Sequence, residues 1–402
     1  MTGTLPDADW RARPGLRRIV GALGADAVKI VGGAVRDTLL GLPVTDVDLA
    51  TPLLPQEVTR RLADAHVKVI PTGIAHGTVT AIASGDHHEI TTLRRDVETD
   101  GRRATIAFAG DWREDAARRD FTINALYADP DTGEIDDWFE GLADLAAGCV
   151  RFIGDAPARI AEDHLRILRF YRFAARFGRG ELEPVSHAAA IDARQSLKSL
   201  SRERVADELL KIMALPDPRA ILLQMADDGI FSVVLPELDL EFGSALNRLH
   251  ANEDAVAAPA APLRRFAALL PADATIAEQV ASRLRLSTRQ RKYLAALARH
   301  RGAVLPPARQ LAYAVGIDAA RDIYLLASDE AAAAAAAKGA LAGWDVPQLP
   351  LKGGDIIARG VTAGPEVARL LKEIESAWVE EDFPDAARVA ALADQKIGLV
   401  RD

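Results

Sequence analysis

The sequence predicts an α+β protein, with a small mixed or antiparallel sheet flanked by helices over residues 1–150 and helices almost throughout the rest. Three observations point there. Up to residue 150, short runs rich in Val, Ile and Thr alternate with helical segments. From about residue 156 the apolar spacing becomes helical, interrupted by Pro216 and Pro218. Hydrophobic residues make up 49% and charged residues 27%, as in soluble globular chains.

In chain order, residues 28–31 are a short apolar strand that runs into Gly32 and Gly33. A helix over 34–40 follows, stopped by Gly41 and Pro43. Residues 47–50 predict a strand, and 56–65 a helix with Pro55 at its start. Residues 67–70, 77–83 and 88–93 predict strands, and the polar segment 95–110 a mobile loop. The helical part opens with one long helix over 158–177. Further helices are expected over 201–214, 218–228, 262–270, 275–284, 287–300 and 306–335, with a last one over 364–394. The alanine run 331–337 favours helix, and 339–350 reads as a linker.

The 402 residues allow two to four domains. No run of about 18 apolar residues suggests a membrane span, and residues 1–14 lack the apolar core of a signal peptide. The lone Cys149 excludes an intrachain disulfide and suits a reducing cytoplasm. Net charge is −9, yet residues 281–301 hold Arg283, Arg285, Arg289, Arg291, Lys292, Arg299 and Arg301 and no acid. Such a run is either a solvated helix face or a surface that tracks phosphates.

Five constellations carry chemistry. Gly32-Gly33-Ala34-Val35-Arg36-Asp37 joins a strand to a helix through two glycines, which admit a phosphate close to the backbone, and Arg36 can fork onto it. An ordinary strand-to-helix turn would look similar. Asp46-Val47-Asp48 puts two carboxylates on one side of a strand, where they repel unless a cation lies between them. Mg²⁺, bound by one or two carboxylates plus phosphate oxygens, suits that pair. Glu89 is a candidate third carboxylate, or a solvated strand residue. Arg118 and Arg119 suggest a polyanion partner, or a charge pair ahead of an apolar helix. Asp163, Arg166, Arg169 and Arg172 recur every third residue of the expected long helix. An Asp163–Arg166 bridge explains the first two but leaves the later arginines without acids.

These motifs stand in an order that resembles the bacterial class II tRNA nucleotidyltransferase and poly(A) polymerase family, of the DNA polymerase β-like superfamily. GGAVRD (32–37), DVDLAT (46–51), RRDFTINAL (118–126) and EDHLRILRFYRF (162–173) carry the resemblance, with the segment 72–79 in support. The resemblance implies a catalytic head over 1–150, a neck over 151–240, a body over 241–345 and a tail over 346–402. It implies that Asp46 and Asp48 bind Mg²⁺, that Gly33 and Arg36 contact the triphosphate, and that Arg119 is another nucleotide-contacting arginine. Asp163, Arg166, Arg169 and Arg172 match positions that read the incoming base and its phosphates. Cytosine and adenine both present an amino donor beside a ring acceptor, so a carboxylate and an arginine together could select them without a template. Segment 95–110, with Arg102, resembles the family's flexible loop. The chain lacks the His-Asp dipeptide of relatives with a phosphohydrolase domain, and its alanine-rich body matches poorly.

The expected activity is addition of CMP and AMP from CTP and ATP to the 3′ end of tRNA in the cytoplasm, without an obligatory protein partner. A poly(A) polymerase, a CC-only or A-only enzyme, and a non-catalytic RNA-binding protein are the alternatives. The intact Asp46 and Asp48 argue against the last.

Overall fold

The computed structural model describes residues 3–74, 77–100, 103–108 and 110–401, so Ala75, His76 and Arg102 lie outside the described residues. Two compact units divide the chain. One comprises Met1–Glu208 and Ala220–Val234, the other Leu209–Arg219 and Leu235–Asp402.

The first unit is built on a mixed sheet. Its strands are β1 (Gly3–Thr4), β2 (Lys29–Val31), β3 (Asp48–Thr51), β4 (Lys68–Gly73), β5 (Thr78–Ala83), β6 (Asp86–Thr92), β9 (Tyr127–Ala128) and β10 (Glu134–Asp136), with β7 (Arg94–Asp100) and β8 (Arg103–Phe108) forming a separate hairpin. The sheet order is β1-β10-β9-β2-β3-β6-β5-β4, which puts β3 mid-sheet, antiparallel to β2 and parallel to β6. Helices α2 (Gly33–Leu39) and α3 (Pro55–Asp64) follow the expected pattern, whereas α1 (Pro14–Leu23) is unexpected, and α1 and α3 pack on the sheet through Leu16, Ile19, Leu23, Val58 and Leu62. Short helices α4 (Trp112–Ala117) and α5 (Gly141–Ala147) complete this part.

Five expectations change, the fifth among the later helices. Residues 95–100 and 103–108 belong to the paired strands β7 and β8 instead of a loop, in keeping with the strand preference of Val, Thr and Ile. No apolar helix follows Arg119. Phe121, Ile123 and Leu126 are buried around the 3₁₀ turn Thr122–Asn124. The long helix over 158–177 is two helices, α6 (Ala156–Glu162) and α7 (Arg166–Phe177). Asp163 breaks them apart, with φ −153° and ψ 104°. Its carboxylate accepts the Leu165 N–H at 3.1 Å, a local bond that competes with the helical one. The last helical segment is likewise two helices, separated by Asp382 and Phe383 at positive φ.

After α7 come α8 (Pro184–Asp192), α9 (Arg202–Met213), α10 (Arg219–Asp227) and α11 (Phe231–Val234). The second unit is helical: α12 (Phe242–Val256), α13 (Pro262–Ala268), α14 (Ala274–Arg283), α15 (Thr288–Arg301), α16 (Ala308–Val315), α17 (Ile317–Ala327), α18 (Glu330–Ala334), α19 (Gly353–Ala358), α20 (Pro365–Glu380) and α21 (Ala386–Arg401). Gly316, at φ +90°, splits the helix expected over 306–335 into α16 and α17. Inside this unit, Glu253 takes Arg264 and Arg265 on its two oxygens (2.6 and 2.8 Å), and Asp322 accepts from Arg264 at 2.7 Å. The closing helices bury Ile356, Leu370, Ile374, Trp378 and Val389 in a core of their own.

Candidate active site

A cleft of about 500 Å³ opens in the first unit where β2, β3, the Arg118–Asn124 segment and the start of α7 meet. Its floor is the glycine turn. Gly32 has φ +66° and ψ −117°, a backbone conformation that favours glycine, and a Cβ there would also crowd the Arg119 guanidinium at 3.2 Å. Gly33 starts α2, and Arg36 on that helix is buried. Its guanidinium donates to Asp37 (2.8 Å) and Asn124 (2.5 Å) and lies over the Phe177 ring at 4.1 Å. Burial lowers the Arg36 pKa even with Asp37 beside it, and the group keeps its charge.

Asp46 and Asp48 flank Val47, which is 2% exposed while both aspartates face solvent. That alternation aims the two carboxylates the same way. The β3–β6 pairing of Leu49 with Ile90 sets Glu89 beside Asp48. Although its side chain reaches solvent, Asp48 is pushed up to about 6, first by the protein mass around it, then by Glu89 and Asp46, with Arg119 pulling downward. Crowded carboxylates, with Asp48 raised among them, are a donor set that a divalent cation would relieve. Among the described residues no three His, Cys, Asp or Glu side chains enclose a metal by themselves. Mg²⁺ needs no such cage when a triphosphate supplies further oxygens.

The opposite wall is a ladder of arginines tied to acids. Asp115, 1% exposed, accepts from Arg118 (2.6 Å) and Arg119 (3.4 Å), and the Tyr127 hydroxyl also donates to it. Burial pushes the Asp115 pKa up, but the two guanidinium groups win and hold it below the usual range. Arg119 donates from Nε to the Tyr127 hydroxyl at 2.9 Å. Asp120 accepts from Asn124 at 2.9 Å and from Arg169 at 2.7 Å, so Arg169, Asp120, Asn124 and Arg36 form one continuous chain of hydrogen bonds. Arg166 donates to Glu162 (2.5 Å) and to the Arg118 carbonyl (3.0 Å). Asp163 accepts from Arg204 at 2.6 Å.

The cleft therefore brings together Gly33, Arg36, Asp48, Arg119, Asp163, Arg166 and Arg169, and Asp46 and Glu89 act on Asp48 from beside it. Arg172 does not line it. Its guanidinium turns to the buried Glu208 and stacks over Phe173 at 4.5 Å. Asp163 and Arg166 do not bridge each other, and the later arginines do have acids, supplied from outside their own helix. Asp115, Asp120, Asn124 and Arg204 escaped the sequence reading. The first three were within reach of it: Asp115 lies three and four residues before Arg118 and Arg119, and Asn124 lies four after Asp120. Arg204 carried no such signal.

Comparison with known proteins bears on this site. Residues 28–151 match the poly A polymerase head domain, and residues 181–241 a probable RNA- and SrmB-binding site of polymerase A. The mitochondrial CCA tRNA nucleotidyltransferase 1 of Danio rerio is 33% identical over 89% of this chain and 84% of its own. A CCA-adding enzyme of Leuconostoc citreum is 42% identical over 52% of this chain and 51% of its own. In structure, the chain resembles the Bacillus stearothermophilus CCA-adding enzyme in complex with CTP. The TM-score is 0.77 and the identity 25%, over 97% of this chain and 99% of that one.

Proposed function

Because this chain belongs to the CCA tRNA nucleotidyltransferase family, we propose that Asp46 and Asp48, with Glu89 beside them, bind Mg²⁺ in the cleft where CTP or ATP reacts with the tRNA 3′ end. The enzyme adds CMP and AMP to that end. The RNA 3′ hydroxyl attacks the α-phosphate, its oxygen forms the new phosphodiester, and pyrophosphate leaves with the broken bond. Bound Mg²⁺ supplies activation of the hydroxyl and neutralisation of phosphate charge.

The protein's own groups do the rest. The Gly32–Gly33 turn admits the triphosphate, and Arg36 and Arg119 provide positive charge along it. Asp163 accepts from the amino group of cytosine or adenine, and Arg166 and Arg169 donate to the ring and phosphates. Arg172 acts behind them, through its hold on Glu208. On this reading residues 1–150 are the head, 151–240 the neck, 241–345 the body and 346–402 the tail. Among the described residues no helix is long and apolar enough to cross a membrane, and we assign the enzyme to the cytoplasm.

One observation carries the reading: a single cleft joins a crowded carboxylate at Asp48 to the paired acceptor and donors at Asp163, Arg166 and Arg169. The test incubates the protein with tRNAs lacking three, two or one of their final nucleotides, with labelled CTP and ATP. Ordered extension to a complete CCA end is the expected result. Long adenylate tails would make it a poly(A) polymerase, and arrest after CC, or extension only of tRNA ending in CC, a partial enzyme.

A further inference from the structure

The strand that presents the two aspartates lacks ladder partners where it begins. The pairing of β3 with β6 starts at Leu49 and Ile90, and that with β2 reaches only Asp48, opposite Val31. The Val47 carbonyl lies outside both ladders, between Asp46 and Asp48. Buried carbonyls need donors, and this one finds a side chain: His88 Nδ1 lies 3.2 Å away in a buried contact. A carbonyl only accepts, so the ring must present Nδ1–H to it.

His88 is 1% exposed, whereas its neighbours His87 and Glu89 on β6 face outward. Among the described residues its Nε2 has no partner. An interior ring with one unmet nitrogen is a poor choice for packing alone, since Ile or Leu would fill that place without a buried polar atom. What His88 provides that they cannot is the bond to Val47.

Resting on the metal reading of Asp46 and Asp48, we propose that His88 is a positioning residue for that pair: its imidazole extends the β3–β6 ladder by one rung through a side chain and so fixes the direction of both carboxylates. Groups that orient metal ligands typically contribute about 10–100-fold in metal affinity or activity.

The full-length protein tests this with Mn²⁺ as the probe, its binding read by electron paramagnetic resonance beside kcat and KM for CTP and tRNA. His88→Leu removes the donor and keeps the bulk. It should weaken Mn²⁺ binding and lower kcat about tenfold or more each, with KM for tRNA within twofold. His88→Asn, whose amide donates near the Nδ1 position, should recover most of both losses, whereas His88→Gln, which reaches toward Nε2, should not. The Asn and Gln pair carries the test even if the Leu variant does not fold. Wild-type Mn²⁺ binding and kcat in His88→Leu, or equal impairment of Asn and Gln, would overturn the role. Asp48→Ala separates the two assignments. If it loses Mn²⁺ binding while His88→Leu keeps it, only the His88 role fails. If Asp48→Ala binds Mn²⁺ normally, the metal reading itself fails.

Discussion

In the cleft of the first unit, Arg36, Arg119, Arg166 and Arg169 are each tied to a carboxylate, most with a further bond to an amide, a hydroxyl or a backbone carbonyl. On α15 of the second unit, Arg289 and Arg291 pair with no acid among the described residues. The same residue type is used in two physical states. A tied guanidinium has already lost its rotamer freedom and presents fixed donors, which suits reading one base or one triphosphate. A loose one stays hydrated and exchanges partners, which suits a polyanion of no fixed register. Arg301, at the end of the same α15, is of the tied kind, donating to three backbone carbonyls and to Asp239, so the contrast belongs to positions, not helices.

This contrast can be broken at four places. The largest expected effect is at the carboxylates that the tied arginines face. Asp46→Ala or Asp48→Ala should lower nucleotide addition by several orders of magnitude with the melting temperature unchanged. A variant that kept more than about a tenth of the wild-type rate, roughly 1.4 kcal/mol in barrier, would remove the metal site from that end of the cleft.

Next comes Asp120, the acid at the centre of the tied wall. Burial pushes its pKa up, yet Arg169 and the Asn124 amide hold it below the ordinary range. A depressed carboxylate contributes stability in full above its unfolded pKa of about 4, and loses it as pH falls through the lower folded value. Asp120→Asn should therefore destabilise the protein at neutral pH by about 1–3 kcal/mol, since the Arg169 left behind reaches the open cleft, and flatten the acid limb of its pH–stability curve. Thermal melts from pH 2 to 7 would read this. An unchanged acid limb would mean that the wall does not depend on its acids.

Base choice should respond less. Asp163→Ala should raise use of UTP or GTP relative to CTP, and Arg166→Ala should lower CTP and ATP use together. Each effect should be on the order of 1–3 kcal/mol of discrimination. Single-turnover kcat/KM with all four nucleotides decides it, and wild-type selectivity in both variants would leave these residues structural. The smallest effect belongs to the loose set. Reversing Arg289 and Arg291 to Glu should weaken tRNA binding and flatten its salt dependence while CTP affinity stays put. Unchanged tRNA affinity at low salt would make α15 an ordinary solvated face.

Legibility in the sequence followed the range of each interaction. The Gly32–Gly33 turn, α2 and the aspartates around Val47 could be read because backbone freedom, helix period and strand alternation act within a few residues. The β3–β6 neighbours could not, and so Glu89 had only its residue type to recommend it. The regular spacing of Asp163, Arg166, Arg169 and Arg172 suggested one helical stripe. The Asp163 side chain instead caps its own backbone and ends the helix. The partners of Arg169 and Arg172, Asp120 and Glu208, lie 49 and 36 residues away, beyond any local pattern.

The sheet order has a consequence for the chain as it is made. Strand β2, beside the aspartate strand, takes its other neighbour from β9, with Ile30 opposite Ala128, and β1 pairs with β10 through Gly3 and Ile135. Ninety-eight residues separate Ile30 from Ala128, and 132 separate Gly3 from Ile135, and all of them must emerge before these pairings can close. Loop closure over such spans adds little to the entropic cost, but it delays the event. During synthesis Asp46 and Asp48 therefore exist for a time without a finished sheet beneath them, and Arg169, which completes the wall, arrives later still. A folding defect at β9 or β10 would thus leave β2 without its second neighbour, and disturb the strand pair that carries Asp48, although Asp48 itself is made long before.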